Sequence, residues 1–104
     1  MAKNAITLQQ AQEWATTWRE NPLHVIKAFL IPQVDFVQLL AEPNVQDIRA
    51  YVGTDENGEQ KLMLVGVNDK GQDLIDEANN QNIYDFTTPC PEFCDLESPL
   101  FTLK

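Results

Sequence analysis

The chain has 104 residues with 16 acids, 7 bases and one His, a formal charge of −9 at pH 7. Its 43% hydrophobic and 22% charged content is that of a globular protein, not a disordered one. Binding nucleic acid or anionic lipid through phosphates needs clustered Lys and Arg to release counterions. The sequence has no such cluster, so neither is expected as a direct partner.

The length suits a single domain, residues 1–104, burying about two thirds of its unfolded surface. No apolar run approaches the roughly 20 residues of a membrane helix. The opening MAKNAITLQQAQEW lacks the apolar segment of a signal peptide. These features predict a cytoplasmic protein with reduced thiols. The charge is uneven. Residues 1–52 hold five acids and four bases, residues 53–104 eleven acids and three bases. Gln72 to Leu103 carries seven acids and no base. Such a stretch reads first as a solvated acidic surface, and second as a face for a basic partner or a cation.

Leu8, Ala11, Trp14, Ala15 and Trp18 recur at helical spacing, with polar residues between them. Thr7 and Gln10 predict a capping box, and Asn21-Pro22 a stop. Trp14 and Trp18 lie one turn apart, where they either pack onto a sheet or form a partner-binding stripe. His24 to Ile31 (HVIKAFLI) predicts a strand buried on at least one face. Gln33 to Ala41 predicts a short helix that Asp35 caps and Glu42-Pro43 ends.

Asp47–Gly53 and Lys61–Val67 alternate like paired strands around Asn57-Gly58, a signature of the two-residue type I′ turn. That turn sets Val52 opposite Met63, Ala50 opposite Val65 and Ile48 opposite Val67. It also sets Tyr51 opposite Leu64 and Arg49 opposite Gly66. Asn68-Asp69-Lys70-Gly71 is a further turn, and Leu74-Ile75 extends a strand or begins a helix at Asp73. Asn79–Asn82 is a polar loop, and Ile83–Thr88 (IYDFTT) has the content of a strand. Residues 89–104 hold three prolines and are expected to be an irregular tail. The predicted fold class is α+β in two layers, two helices on a small, mainly antiparallel sheet of three to five strands.

Cys90 and Cys94 form a C-x₃-C pair with three competing chemistries. A closed zinc site needs four ligands, so this pair would need His24, carboxylates or a second subunit. A thioredoxin-like centre spaces its cysteines one residue closer. A nucleophilic thiolate is disfavoured by Glu92, Asp95 and Glu97. The alternatives are two ordinary thiols or a local disulfide. His24, the sole histidine, reads as a satisfied or exposed strand residue, with a Cys–His pair as its catalytic alternative. Neither Asn-Gly-type loop fits an EF-hand, because the required ligand positions fall on Gly and Leu or on Gly and Lys. Phosphate-loop, dinucleotide, zinc-protease and serine-hydrolase motifs are all lacking.

The segments Arg49-x-Tyr51-x-Gly53, Lys61-Leu62-x-Leu64-Val65, Tyr84-Asp85-Phe86-Thr87-Thr88-Pro89-Cys90-Pro91, Cys94-Asp95 and Ser98-Pro99-Leu100 resemble a group of small uncharacterised bacterial proteins. The resemblance spans residues 24–100. It implies no activity and no site residues, only that the Cys-Pro tail belongs to the domain. The expectation is therefore a small interaction module, self-associating or binding another protein, with no catalytic residue and no cofactor. Trp14, Trp18, Phe93 and Phe101 are its candidate contact residues. A metal or redox site on Cys90 and Cys94 is the first alternative, and an enzyme with a pocket built from distant residues the second. An acidic mimic of nucleic acid is the third.

Overall fold

The structure is a computed structural model describing residues 2–104. It has the α+β class that the sequence predicts, with antiparallel sheets of two and three strands. The chain forms two compact units. Its two ends, up to Ala28 and from Pro89 on, make one; Phe29–Thr88 makes the other.

In the terminal unit, α1 spans Leu8–Arg19 and begins as predicted. Thr7 accepts from the Gln10 backbone N–H, and the Gln10 side chain accepts from the Thr7 N–H. The apolar stripe of α1 is not buried against a sheet, for Trp14 is 63% and Trp18 46% exposed. Instead α1 serves a one-turn helix, α3 (Pro99–Thr102), that stands in the expected irregular tail. Arg19 donates to the carbonyls of Leu100 and Phe101, and Gln12 to that of Pro99. A four-residue helix leaves most of its carbonyls unpaired, so these donors supply what the helix itself cannot.

The expected strand His24–Ile31 shrinks to β1, Ala28–Leu30, which pairs with β5, Thr88–Cys90. The N–H groups of Leu23, His24 and Val25 close local turns back to Asn21 and Leu23, so they cannot join a ladder.

In the central unit, α2 spans Gln33–Leu40. It starts after Pro32, without a side-chain cap. Asp35 therefore lies inside its first turn rather than capping it. The three-stranded sheet has the order β2 (Asp47–Thr54), β3 (Gln60–Val67), β4 (Asp73–Leu74). The register pairs Ile48 with Gly66, Ala50 with Leu64, Val52 with Leu62 and Tyr51 with Met63. This is one residue away from the type I′ expectation. The cause is Asp55, whose carboxylate accepts the N–H groups of Asn57 and Glu59, both at 2.9 Å. Asp55 N–H also donates to the Glu59 carbonyl, leaving a three-residue loop with Gly58 at φ 79°. Such loops place Gly in the left-handed position after a type I turn. The slip moves every side chain of one strand to the other face relative to its partner.

β3 is paired on both edges and holds the core residues Leu64, Val65 and Val67. Its second edge is met piecewise. β4 pairs with Val67 and Gly66, Tyr84 forms a single bridge to Leu64, and the Thr87 hydroxyl donates to the Leu62 carbonyl. The expected strand Ile83–Thr88 is thus one bridge at Tyr84, with Phe86 left exposed. A short 3₁₀ turn, Glu77–Asn79, is capped by Asp76.

Val45 covers Gly66 so closely that an added Cβ would overlap both of its methyl groups. Gly66→Ala is expected to destabilise the chain by about 1–3 kcal/mol through overpacking, with Val45→Ala restoring part of the loss. Urea denaturation of the single and double variants checks this.

Candidate functional site

The sequence candidates all belong to the terminal unit. Cys90 and Cys94 are joined in a disulfide. The chain bends back there, with Phe93 N–H donating to the Pro89 carbonyl. This brings the two Cα atoms to 4.8 Å, within the span of a disulfide. The expectation of reduced thiols is corrected by this bond. Joined sulfurs are not thiolates, so in this state the pair offers no metal donor and no nucleophile. So small a ring adds at most about 2 kcal/mol by loop closure.

The four aromatic candidates divide. Trp18 stacks on His24 with ring centroids 3.5 Å apart and donates to the Ile26 carbonyl at 2.6 Å. His24 Nδ1 meets the Trp18 carbonyl at 2.9 Å as a donor and helps close the end of α1. Phe101 is half-buried, with the Lys27 ammonium 5.8 Å from its ring centre. Trp18, His24 and Phe101 are thus engaged inside their own unit, and His24 makes no Cys–His pair with the joined sulfurs. Trp14 and Phe93, each 63% exposed, remain free to touch a partner.

The central unit holds groups that the sequence does not mark as site residues. Asp35, Leu39 and Glu42 are buried, at the spacing of one helix face continued past the end of α2. Glu42 accepts from the Tyr84 hydroxyl at 2.5 Å and from the backbone and side chain of Asn82. These neutral donors meet its charge. The bond to Glu42, then burial, raises the Tyr84 pKa, so the phenol stays a donor. Asp35 is different. It is 1% exposed, and its Oδ2 has no hydrogen-bond partner. Burial first, and the nearby Asp85 second, push its pKa up. No family model, no curated protein and no solved structure matches the chain.

Turning two carboxylates inward leaves the apolar residues of α2 outside. Val34, Phe36, Val37 and Leu40 are all exposed, Val37 and Leu40 at 59% each. The helix is amphipathic in the opposite sense to a core-facing one. On the other side of the sheet, Asp73 accepts from both Arg49 and Tyr51. The pair Arg49–Asp73 lies at the surface, where an ion pair contributes little. Two shallow clefts flank the sheet. One, of about 400 Å³, is lined by Asn44, Gln46, Asn68 and Asp69. The other, of about 280 Å³, is lined by Met63, Ile83 and Asp85. Neither is lined by Asp35, Glu42 or Tyr84. Among the described residues no three Asp, Glu, His or Cys side chains converge as metal ligands. No helix there is long and apolar enough to cross a membrane.

Asp35 makes stability depend on pH with a defined sign. Its folded pKa lies above the unfolded value of 3.8, so the folded state binds the extra proton. Stability from this group therefore falls as pH rises from the unfolded to the folded value. Asp35→Asn, which keeps the shape and removes the charge, is expected to stabilise the chain at pH 7 by on the order of 1 kcal/mol. The gain vanishes near and below pH 3.8. Thermal melts of both proteins across pH 3–8 check it.

Proposed function

We propose that the protein is a small interaction module whose partner is a second copy of itself. The observation that carries this reading is the outer side of α2, where four large apolar residues face outward while two carboxylates are buried. Contiguous apolar surface of this kind marks protein contacts more often than free solvent surface.

Charge decides where a second copy can meet this one. The central unit carries eleven acids against three bases. Two copies of so acidic a body repel each other over most of their surface. Residues 33–41 carry one charge, Asp35, and that side chain is buried. The outer side of α2 is therefore a place where like copies meet without like charges facing. Self-association about a twofold requires such a self-complementary patch.

A second reading has one observation in its favour. The Cys90–Cys94 bond exists, and a dithiol reductant that delivers two electrons and two protons would open it to two thiols. Intact mass before and after a dithiol, a gain of about two mass units that air reverses, supports it. A bond that no dithiol opens in the native protein excludes it.

For the main reading, light scattering across a concentration series is expected to show a dimer that dissociates on dilution. Val37→Glu with Leu40→Glu is expected to weaken it at least about tenfold. A strict monomer at every concentration overturns self-association.

A further inference from the structure

Resting on that reading, we infer that the seam of self-association is the free edge of β2, paired antiparallel with β2 of a second copy. The alternation of hydrogen bonds in the sheet carries the argument. Leu64 exchanges backbone bonds with Tyr84, at 2.7 and 3.0 Å, so its N–H and C=O point away from β2. In an antiparallel ladder the direction alternates residue by residue. The odd-numbered residues of β3 therefore bond to β2, and Arg49, Tyr51 and Gly53 are their partners. The even-numbered residues of β2, Ile48, Ala50 and Val52, aim their N–H and C=O groups outward. Among the described residues no strand pairs with that edge.

Beyond the charges of Asp47 and Arg49, β2 lacks the devices that protect edge strands. It is eight residues long, with no Pro and no bulge in its pairing with β3. Val52, the last of the outward set, is 70% exposed. A long, open, regular edge is a template for another strand.

The strand fits its own copy in one register. Two registers pair nearly its full length, one centred on Ala50 and one on Tyr51. Centring on Tyr51 sets Asp47 opposite Asp55 of the second copy, two like charges. Centring on Ala50 sets Ile48 opposite Val52, Arg49 opposite Tyr51 and Asp47 opposite Gly53. Ala50 then faces Ala50. Apolar meets apolar, and no like charges face each other. The same operation continues the sheet across the seam with both α2 helices on one side of it. The two β3 strands then stand three strand spacings apart, about 14 Å. Each α2 contacts its own β3, and Ala50 and Val52 on the strands between them are exposed.

A cysteine cross-link tests the register directly. Cys90 and Cys94 are paired and the chain has no other cysteine, so Ala50→Cys introduces a lone thiol. Residues 50 of the two copies would lie about 5.5 Å apart between Cα atoms, within disulfide range. Val52→Cys, two residues away, would lie about 14 Å from its counterpart. Mild oxidation is expected to convert Ala50→Cys to a covalent dimer and leave Val52→Cys monomeric. Val52→Lys, a charge on the open edge, is expected to weaken association at least about tenfold, with an unchanged melting temperature at a dilution where both proteins are monomeric. Equal cross-linking of both cysteine variants, or association untouched by Val52→Lys, overturns the β2 seam. If the α2 variants alone then abolish association, self-association stands and only the seam falls. A wild-type protein that is monomeric at every concentration removes both.

Discussion

The constraint on which the central unit depends is the hairpin loop closed by Asp55. Its carboxylate holds two N–H groups and makes the loop three residues long. The loop length sets the register of β2 against β3, and the register decides every face. It places Arg49 and Tyr51 on the side of Asp73, where both bond to it. It places Ile48 opposite Gly66, whose missing side chain leaves room for Val45. It also decides which peptide groups of β2 point into the sheet and which point out.

β3 shows how much a central strand depends on irregular partners. One edge is an unbroken ladder with β2. The other is assembled from β4, one bridge at Tyr84 and the hydroxyl of Thr87. The segment after β4 thus leaves most of its own peptide groups out of a regular ladder and still closes the core. Tyr84 joins two layers at once. Its backbone meets β3 and its phenol meets Glu42, just past the end of α2.

How much of this was legible in the sequence varies by element. The start of α1 was readable because a capping box is a local bond between residues three apart. The bounds of α2 were readable too, but its orientation was not. Apolar residues fill most of its length, yet Asp35 and Glu42 are buried with Leu39 while Val34, Phe36, Val37 and Leu40 are exposed. The i, i+4, i+7 spacing of Asp35, Leu39 and Glu42 was the available signal. The hairpin was visible in the alternation, yet its register turned on a side-chain bond from Asp55 that the Asn-Gly pair does not reveal. The candidate contacts Trp18 and Phe101 are occupied by His24 and Lys27, through contacts within the terminal unit that no spacing rule anticipates.

The order of the chain carries a further consequence. The central unit is one continuous stretch, whereas the terminal unit is made from two ends with about sixty residues between them. The terminal unit cannot form its links from Arg19 to Leu100 or from Lys27 to Phe101 until those ends meet. Meeting across an unfolded insert carries the closure entropy of a long loop. A folded insert, which enters through β1 and leaves through the β5 strand paired with it, replaces that loop with a short one. The stability of the two ends is therefore conditional on the middle. The dependence is mutual, as any free-energy coupling is: ends that are already joined lower the cost of ordering the middle by the same amount.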